Sequence, residues 1–554
     1  MPTSVSVGRE SRITGGNCML IKIARNAPVK KYEKKWQFCI GSCHAATLLR
    51  TDTLKILKRI HDELGIKRVR FHGTFNDDMA LVCNFPQVLG IPVGKHIVEY
   101  NFYKVGVLYD NILALGMKPF VELSFMPQLL AKDPTRTFVY GSVPSMPKDM
   151  QQWRGFIQSY LAYLFHRYGE DEVCSWYFEV WNEPDLSDTF FKDSQNGYLQ
   201  LYAETAHAIK DFCPRLQVGG PATSASRWID LVVDYCKKNN VPLDFVSTHQ
   251  YIGDPFMGVS EEDAAKSFEQ RQEEKAEREK QQTQAFEKLE KDFNRLPADT
   301  PMITAIQTLF GGVDFTEREF DKDIFPKNAA VVRKQAQGLP VFYTEWNLSA
   351  NFASPSQDMR KVAAYDVRAS LAIEDLVDGD SIWCASDIFE ELHQFKEPFH
   401  GGYGIMTYHG IPKPVFYALR MLAQAGQIRI ELDTSQFTDT EAAAFESETE
   451  KQVLIYRFCA KQNALPSEPV SVEVELEKAP KRVYLQRIDE THCNPRKIWG
   501  QMGQPNDLNN QEVSQIIAAS EMRDEQLAYS YSCGVLRTEV EIGVNDVYFI
   551  RIEK

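Results

Sequence analysis

Ser175-Trp-Tyr-Phe-Glu-Val-Trp-Asn-Glu-Pro-Asp-Leu186 changes character halfway along its length. Trp176 to Trp181 is a run of aromatic and β-branched residues without a turn former, as in a strand covered on both faces of a parallel sheet. Asn182, Glu183, Pro184 and Asp185 then set an amide and two carboxylates where the proline must end the strand. These groups therefore stand at its C-terminal mouth, the edge where parallel α/β folds do their chemistry.

A second strand of the same kind ends the same way. In Leu339-Pro-Val-Phe-Tyr-Thr-Glu-Trp-Asn347, Val341 to Thr344 form a short apolar strand and Glu345 stands at its end beside Trp346. Two glutamates at two strand ends make a candidate catalytic pair. Around them lie Arg70-Phe-His-Gly73, Gly116-Met-Lys-Pro-Phe-Val-Glu-Leu-Ser-Phe-Met-Pro127, Ser247-Thr-His249, Asp387-Ile-Phe-Glu-Glu391 and Phe399-His-Gly-Gly402. In this order, from about Met19 to Leu419, the text resembles glycoside hydrolase family 39, the β-xylosidase family. The resemblance implies a (β/α)8 TIM barrel with an accessory C-terminal β-sandwich domain.

The alternation of apolar strands and amphipathic segments points to the same α/β architecture. Strands are expected at Trp36–Gly41 and near 66–71, 118–125, 174–182, 215–219, 244–249, 340–345 and 380–386, and eight such units predict a barrel. The expected organisation is an N-terminal extension at 1–18, a strand lent to the sandwich at 19–33, the barrel at 34–424 and the sandwich at 425–554. Residues 1–18 read as a disordered extension or a misplaced start. A charged helical insertion is expected at about 256–300. Its middle, 261–295, carries eleven acidic and eight basic residues, so only the stripe Phe286, Leu289 and Phe293 is expected to dock.

Composition narrows the partners. A formal net charge of −14 argues against nucleic acid or an anionic membrane as the main partner, both of which are held by surplus Lys and Arg. Eleven cysteines with no CxxC pair read as reduced thiols, and no stretch is long and apolar enough for a membrane span, so the chain reads as cytoplasmic. No dinucleotide-binding glycine motif, Walker loop, HExxH or Cys/His cluster is present, and neither cofactor nor metal is expected. A small carbohydrate is the expected partner, with a homo-oligomer left open.

Hydrolysis of a glycosidic bond needs a proton for the departing oxygen and a nucleophile for the anomeric carbon. The resemblance gives the first task to Glu183 and the second to Glu345. The rings of Trp181 and Trp346 and the charge of a second carboxylate would hold the Glu183 proton, and Arg70 and Tyr251 would donate to Glu345. Asn182, His72, His249, Glu390 and Glu391 resemble sugar-binding residues of the family. Tyr251 joins these as a substrate contact, and Trp383 is either a platform under the sugar or a core ring. His400-Gly-Gly402 reads as a tight loop. The expected reaction is retaining, exo-acting hydrolysis that releases xylose from short xylo-oligosaccharides. The open alternatives are a family exo-glycosidase for a β-galactoside, arabinoside or uronide, and, in another class, an inactive sugar-binding barrel.

Overall fold

The computed structural model of the chain describes residues 19–84, 87–92, 98–187, 189–258, 284, 287–288, 290–311, 320–461 and 465–554. Eight parallel strands close a barrel: β1 (Cys39–His44), β2 (Arg68–His72), β3 (Lys118–Glu122), β4 (Tyr177–Glu179), β5 (Gln217–Thr223), β6 (Phe245–Tyr251), β7 (Val341–Asn347) and β8 (Gly379–Ile382). Ser381 and Ile382 of β8 pair with Cys39 and Ile40 of β1, which closes the ring. A helix follows each strand: Thr51–Leu64, Tyr103–Ala114, Met150–Tyr168, Gln195–Phe212, Ile229–Asn239, Ile324–Gln335, Arg360–Ile373 and Pro414–Gln424. The first shows why these segments are helical. Thr53, Ile56, Leu57, Ile60 and Leu64 recur on one face and are buried, and Gly65 ends the helix at φ 74° with its N–H on the His61 carbonyl.

The barrel interior is filled in layers. At the N-terminal end Phe38, Phe120, Tyr177, Phe245 and Phe342 form an aromatic plug in which Phe38 stacks on Phe342 at 4.6 Å. Above it the layer is charged, with Arg70, Glu122 and Glu179 fully buried. The plug leaves the C-terminal ends of the strands as the open mouth.

One irregularity decides which side chains reach that mouth. Thr248 on β6 pairs with Tyr343, but the next residue, His249, pairs with Glu345, so Thr344 is an extra residue on β7. A bulge of this kind re-aims the side chains beyond it. Thr344 donates inward to Glu179 at 2.8 Å, and Glu345 also faces inward. Trp346 is thereby turned outward, where it packs on Phe325 and Tyr365 of the helical layer and donates to Asp380 at 2.8 Å.

From Ile428 onward the chain forms a two-sheet sandwich. One sheet orders Met19–Ile23, Glu468–Glu475, Val535–Ile542 and Ser530–Ser532; the other orders Val29–Lys31, Ile428–Ile430, Thr440–Glu446, Glu450–Arg457, Val547–Glu553, Arg482–Ile488 and Glu525–Gln526. The segment before the barrel lends a strand to each sheet, parallel to Glu468–Glu475 in one and antiparallel to Ile428–Ile430 in the other. Ile21, Val453, Val472 and Ile550 help fill the space between them. Phe445, Leu454 and Phe549 belong instead to the barrel's core, so the two domains share apolar packing. A pair of helices, Pro495–Gln501 and Asn510–Ser520, is inserted into the sandwich and packs on Phe399 and Ile411.

Residues 1–18 and most of the charged insertion lie outside the described residues. Phe293, expected to dock, is 40% exposed. Among the described residues the ten cysteines are free thiols, and no helix is long and apolar enough to cross a membrane.

Candidate active site

At the barrel mouth lies a cavity of about 330 Å³, lined by His72, Glu183, Leu186, Phe190, Ser224, Tyr251, Asp254, Glu345, Ala350, Trp383, Glu391 and Tyr403. Both strand-end glutamates face into it. A carboxylate oxygen of Glu183, a ring nitrogen of His249 and a carboxylate oxygen of Glu345 all lie within 4.8 Å of one another.

Glu183 reaches the cavity through an unusual backbone. Trp181 and Glu183 have φ of 76° and 40°, a region that non-glycine residues seldom occupy and that clusters at functional sites. The Glu183 N–H donates to the Ala222 carbonyl of β5 at 2.8 Å, which fixes the bend. Its carboxyl is pushed up to about 8, first by burial and then by the negative charge of Asp185. Asp185 is itself held by the N–H of Ser224 at 2.9 Å, the Ser224 hydroxyl at 2.6 Å and Arg227 at 3.2 Å. The second carboxylate that raises Glu183 is thus Asp185, two residues along. The Trp181 indole, expected beside it, donates to the Phe190 carbonyl at 2.8 Å and packs edge-on against Phe125 and Phe191. It supports the cavity wall from behind.

Glu345 is surrounded by donors. Tyr251 gives a short hydrogen bond to its Oε1, and the Arg70 guanidinium stands 3.5 Å from its Oε2. Arg70 is the hub beneath the site. Wholly buried, it also bonds Glu179 at 2.7 Å, the Asn182 side-chain oxygen at 2.8 Å and Glu122 at 2.9 Å. Burial alone would penalise its charge, but Glu179, Glu122 and Glu345 outweigh that penalty and hold it cationic.

His72 bonds Glu122 through Nδ1 at 2.7 Å, and its Nε2 points toward Glu391 at 3.8 Å and Glu345 at 4.0 Å. Burial opposes a charge on this ring, yet Glu122 prevails and raises its pKa. His249 behaves oppositely: burial pulls it down to about 4, so it is neutral when its Nδ1 meets Glu183 at 2.9 Å. Glu391 is pushed up to about 7, chiefly by burial. The Tyr140 hydroxyl lies 3.4 Å from it, and its carbonyl accepts from the N–H of Val139 at 3.1 Å. Trp383 lines the cavity 4.7 Å from the His72 ring. It lies across Gly41, where a Cβ would meet the indole at 2.4 Å.

Several expected contacts take other places. Asn182 and His249 are buried behind Glu183 and Arg70 and do not line the cavity. Glu390 points away from it, to Arg50 at 2.7 Å and His44 at 3.6 Å, because adjacent residues of this loop face opposite sides. Trp346 lies outside the barrel wall. Tyr403, Phe190, Ser224 and Asp254 line the cavity without having been singled out in the sequence; Tyr403, between two glycines just after Phe399-His-Gly-Gly402, carries the one local signal among them.

The trio Glu183, His249 and Glu345 offers a donor set that a divalent cation accepts. Its chemistry does not fit one well, since Glu183 keeps its proton to about pH 8 and Arg70 already stands beside Glu345. A second trio, Glu170, Cys174 and Cys213, sits at the other end of the barrel with Arg215 at 3.0 Å from Glu170.

Known proteins resemble the chain over most of its length. A β-xylosidase of Caldicellulosiruptor saccharolyticus is 35% identical over 513 residues, covering 92% of this chain and 93% of its own. A β-xylosidase of Geobacillus stearothermophilus is 30% identical over 536 residues, with 95% and 94% covered. Among solved structures, a monomeric β-xylosidase from Caulobacter crescentus CB15 matches with a TM-score of 0.77 at 27% identity, covering 97% of this chain and 99% of the other. The model of glycosyl hydrolases family 39 matches residues 19–304 and 316–534, and the chain belongs to that family.

Proposed function

We propose that this enzyme is a retaining, exo-acting β-xylosidase that removes single xylose units from short xylo-oligosaccharides. The observation that carries the reading is that one carboxylate oxygen of Glu183 and one of Glu345 lie within 4.8 Å of each other at the cavity. Retaining glycosidases set their two carboxyl groups about 5–5.5 Å apart, whereas inverting enzymes leave about 6.5–9.5 Å for a water. Glu183, protonated through neutrality, protonates the departing oxygen as Glu345 attacks the anomeric carbon. The resulting glycosyl ester is then opened by a water that Glu183, now ionised, deprotonates.

Arg70 and Tyr251 hold the Glu345 carboxylate and aim it. His72, Trp383, Glu391 and Tyr403 hold the sugar, while Asn182 and His249 act from behind by fixing Arg70 and Glu183. A cavity at the lower end of the usual range of about 300–1,000 Å³ suits a single sugar ring and hence an exo mode. A uronide is disfavoured. Among the described residues no Lys or Arg lines the cavity, and its imidazole, His72, is engaged by Glu122. The unpaired thiols accord with a cytoplasmic enzyme acting on imported oligosaccharides.

The test is turnover of nitrophenyl glycosides of xylose, arabinose, galactose and glucuronic acid, with the product anomer followed by NMR. The expected result is preference for the β-xyloside with the β-anomer released first. Preference for another sugar, or initial release of the α-anomer, would refute it.

A further inference from the structure

The mechanism above uses neither the Phe399-His-Gly-Gly402 loop nor Lys413, the most deeply buried lysine among the described residues. The two meet at Gly402, next to Tyr403, which lines the cavity. Lys413, just ahead of the helix Pro414–Gln424, is wholly buried between Asp358 at 2.7 Å and Asp387 at 2.8 Å, and its third contact is the Gly402 carbonyl at 2.8 Å. The carboxylates come from different connections. Asp358 ends the turn Pro355–Asp358 after β7, and Asp387 follows β8.

Each carboxylate also grips the glycine loop. Asp358 accepts from the N–H of Gly401 at 2.6 Å, and Asp387 accepts from the N–H of Gly404 at 2.8 Å. Side chains would not fit here: a Cβ on Gly402 would meet Asp387 at 2.4 Å, and one on Gly401 would meet the Ser354 carbonyl at 2.4 Å. The tight loop is thus wrapped around an ion cluster. Between its glycines stands Tyr403, which lines the cavity and donates its hydroxyl to the carbonyl of Ala350, another lining residue, at 2.6 Å. Glu391 leaves the same connection four residues after Asp387.

We infer that Lys413 is a positioning residue, cross-tying the connections after β7 and β8 so that Tyr403 and Glu391 are held at the sugar while touching no substrate itself. Without the ammonium, two carboxylates would face each other unneutralised and the connections would part. Burial alone would neutralise the lysine, but Asp358 and Asp387 outweigh it and keep the charge. Such a cluster fixes geometry better than it adds stability, because the cost of desolvating ions offsets much of their attraction. The inference rests on the proposed reading of the cavity as the place that holds the sugar.

Removing the lysine alone would strand two buried charges, so the test replaces the cluster with neutral isosteres. The variant Lys413→Met, Asp358→Asn, Asp387→Asn keeps acceptors for the Gly401 and Gly404 N–H groups and loses the cross-tie together with the lysine's bond to the Gly402 carbonyl. Asp358→Asn alone is the milder second variant, which leaves Lys413 paired with Asp387. Wild-type turnover of an aryl β-xyloside and its inhibition by free xylose first establish the reading on which the inference rests. If that holds, the triple variant should melt as a folded protein with KM and the xylose inhibition constant both raised about tenfold to a hundredfold, the scale of a misplacement of about 1 Å. Its kcat should stay within about threefold, since Glu183 follows β4 and Glu345 lies within β7 itself, held by Tyr251 and Arg70 and not by the connection beyond the strand. Asp358→Asn should move both constants in the same direction by less. Wild-type KM and inhibition constants in a folded variant would overturn the inference. So would a fall in kcat at constant KM matching a smaller titratable fraction of active enzyme.

Discussion

The hydroxyl of Tyr251, at the end of β6, donates to Oε1 of Glu345 on the neighbouring strand β7. Among the described lining side chains it is the one that reaches the Glu345 carboxylate by a direct hydrogen bond, and both partners are buried. A bond to a charged acceptor contributes roughly 1.5–3 kcal/mol, so Tyr251→Phe should lower kcat/KM by about tenfold to a hundredfold. The ring and its packing remain, so the melting temperature should hardly move. Wild-type kinetics in this variant would remove Tyr251 from the machinery.

Glu345→Gln cannot form a glycosyl ester and should lose turnover of both activated and natural substrates. A fluorinated xyloside inactivator, followed by proteolysis and mass spectrometry, should label the peptide that carries Glu345 in the wild type. A label on the peptide of Glu183 or Glu391 would reassign the nucleophile.

The pH profile should report Glu183. Only its protonated form can serve as the acid, so kcat/KM should fall as pH rises through about 8. Because Asp185 contributes to that elevation, Asp185→Asn should move the alkaline limb to lower pH while leaving the acid limb in place. An unmoved limb would mean that burial alone sets the proton affinity.

The fold and the site were not equally legible. Trp176 to Trp181 and Val341 to Thr344 announce their strands because an apolar run stops at a carboxylate, a change that composition displays. Thr440–Glu446 is harder to see, since its three alanines blur the period-2 contrast on which a strand is recognised. The bulge at Thr344 leaves no compositional mark at all. Plain alternation from Phe342 puts Glu345 outside and Trp346 inside, and only the register of β7 against β6 reverses them. Glu390 and Glu391 are chemically identical neighbours, so the choice between them belongs to the loop, whose N–H and carbonyl contacts turn one toward Arg50 and the other toward the cavity. Lys413 is masked by Pro414: a lysine before a helix-starting proline reads as a surface residue until Asp358 and Asp387 are seen around it.

Glu183→Gln separates the demands of chemistry from those of folding. The variant lacks the acid but keeps the nucleophile, so aryl glycosides with good leaving groups should still form the glycosyl enzyme, while natural oligosaccharides, which need the proton, should fall much further. Stability should change in the opposite sense. The carboxyl has an ordinary value of 4.5 and stands at about 8 in the folded protein, so between those pH values the folded state holds a proton that the unfolded chain has released. Stability from this group is therefore complete below about pH 4.5 and is lost as pH rises toward 8. The neutral glutamine has no such dependence. Glu183→Gln should accordingly melt about 1–3 °C above the wild type at pH 7.5, with a smaller difference at pH 5. A stability gap that is constant with pH, or a variant that melts lower, would show that Glu183 is not held protonated in the folded enzyme.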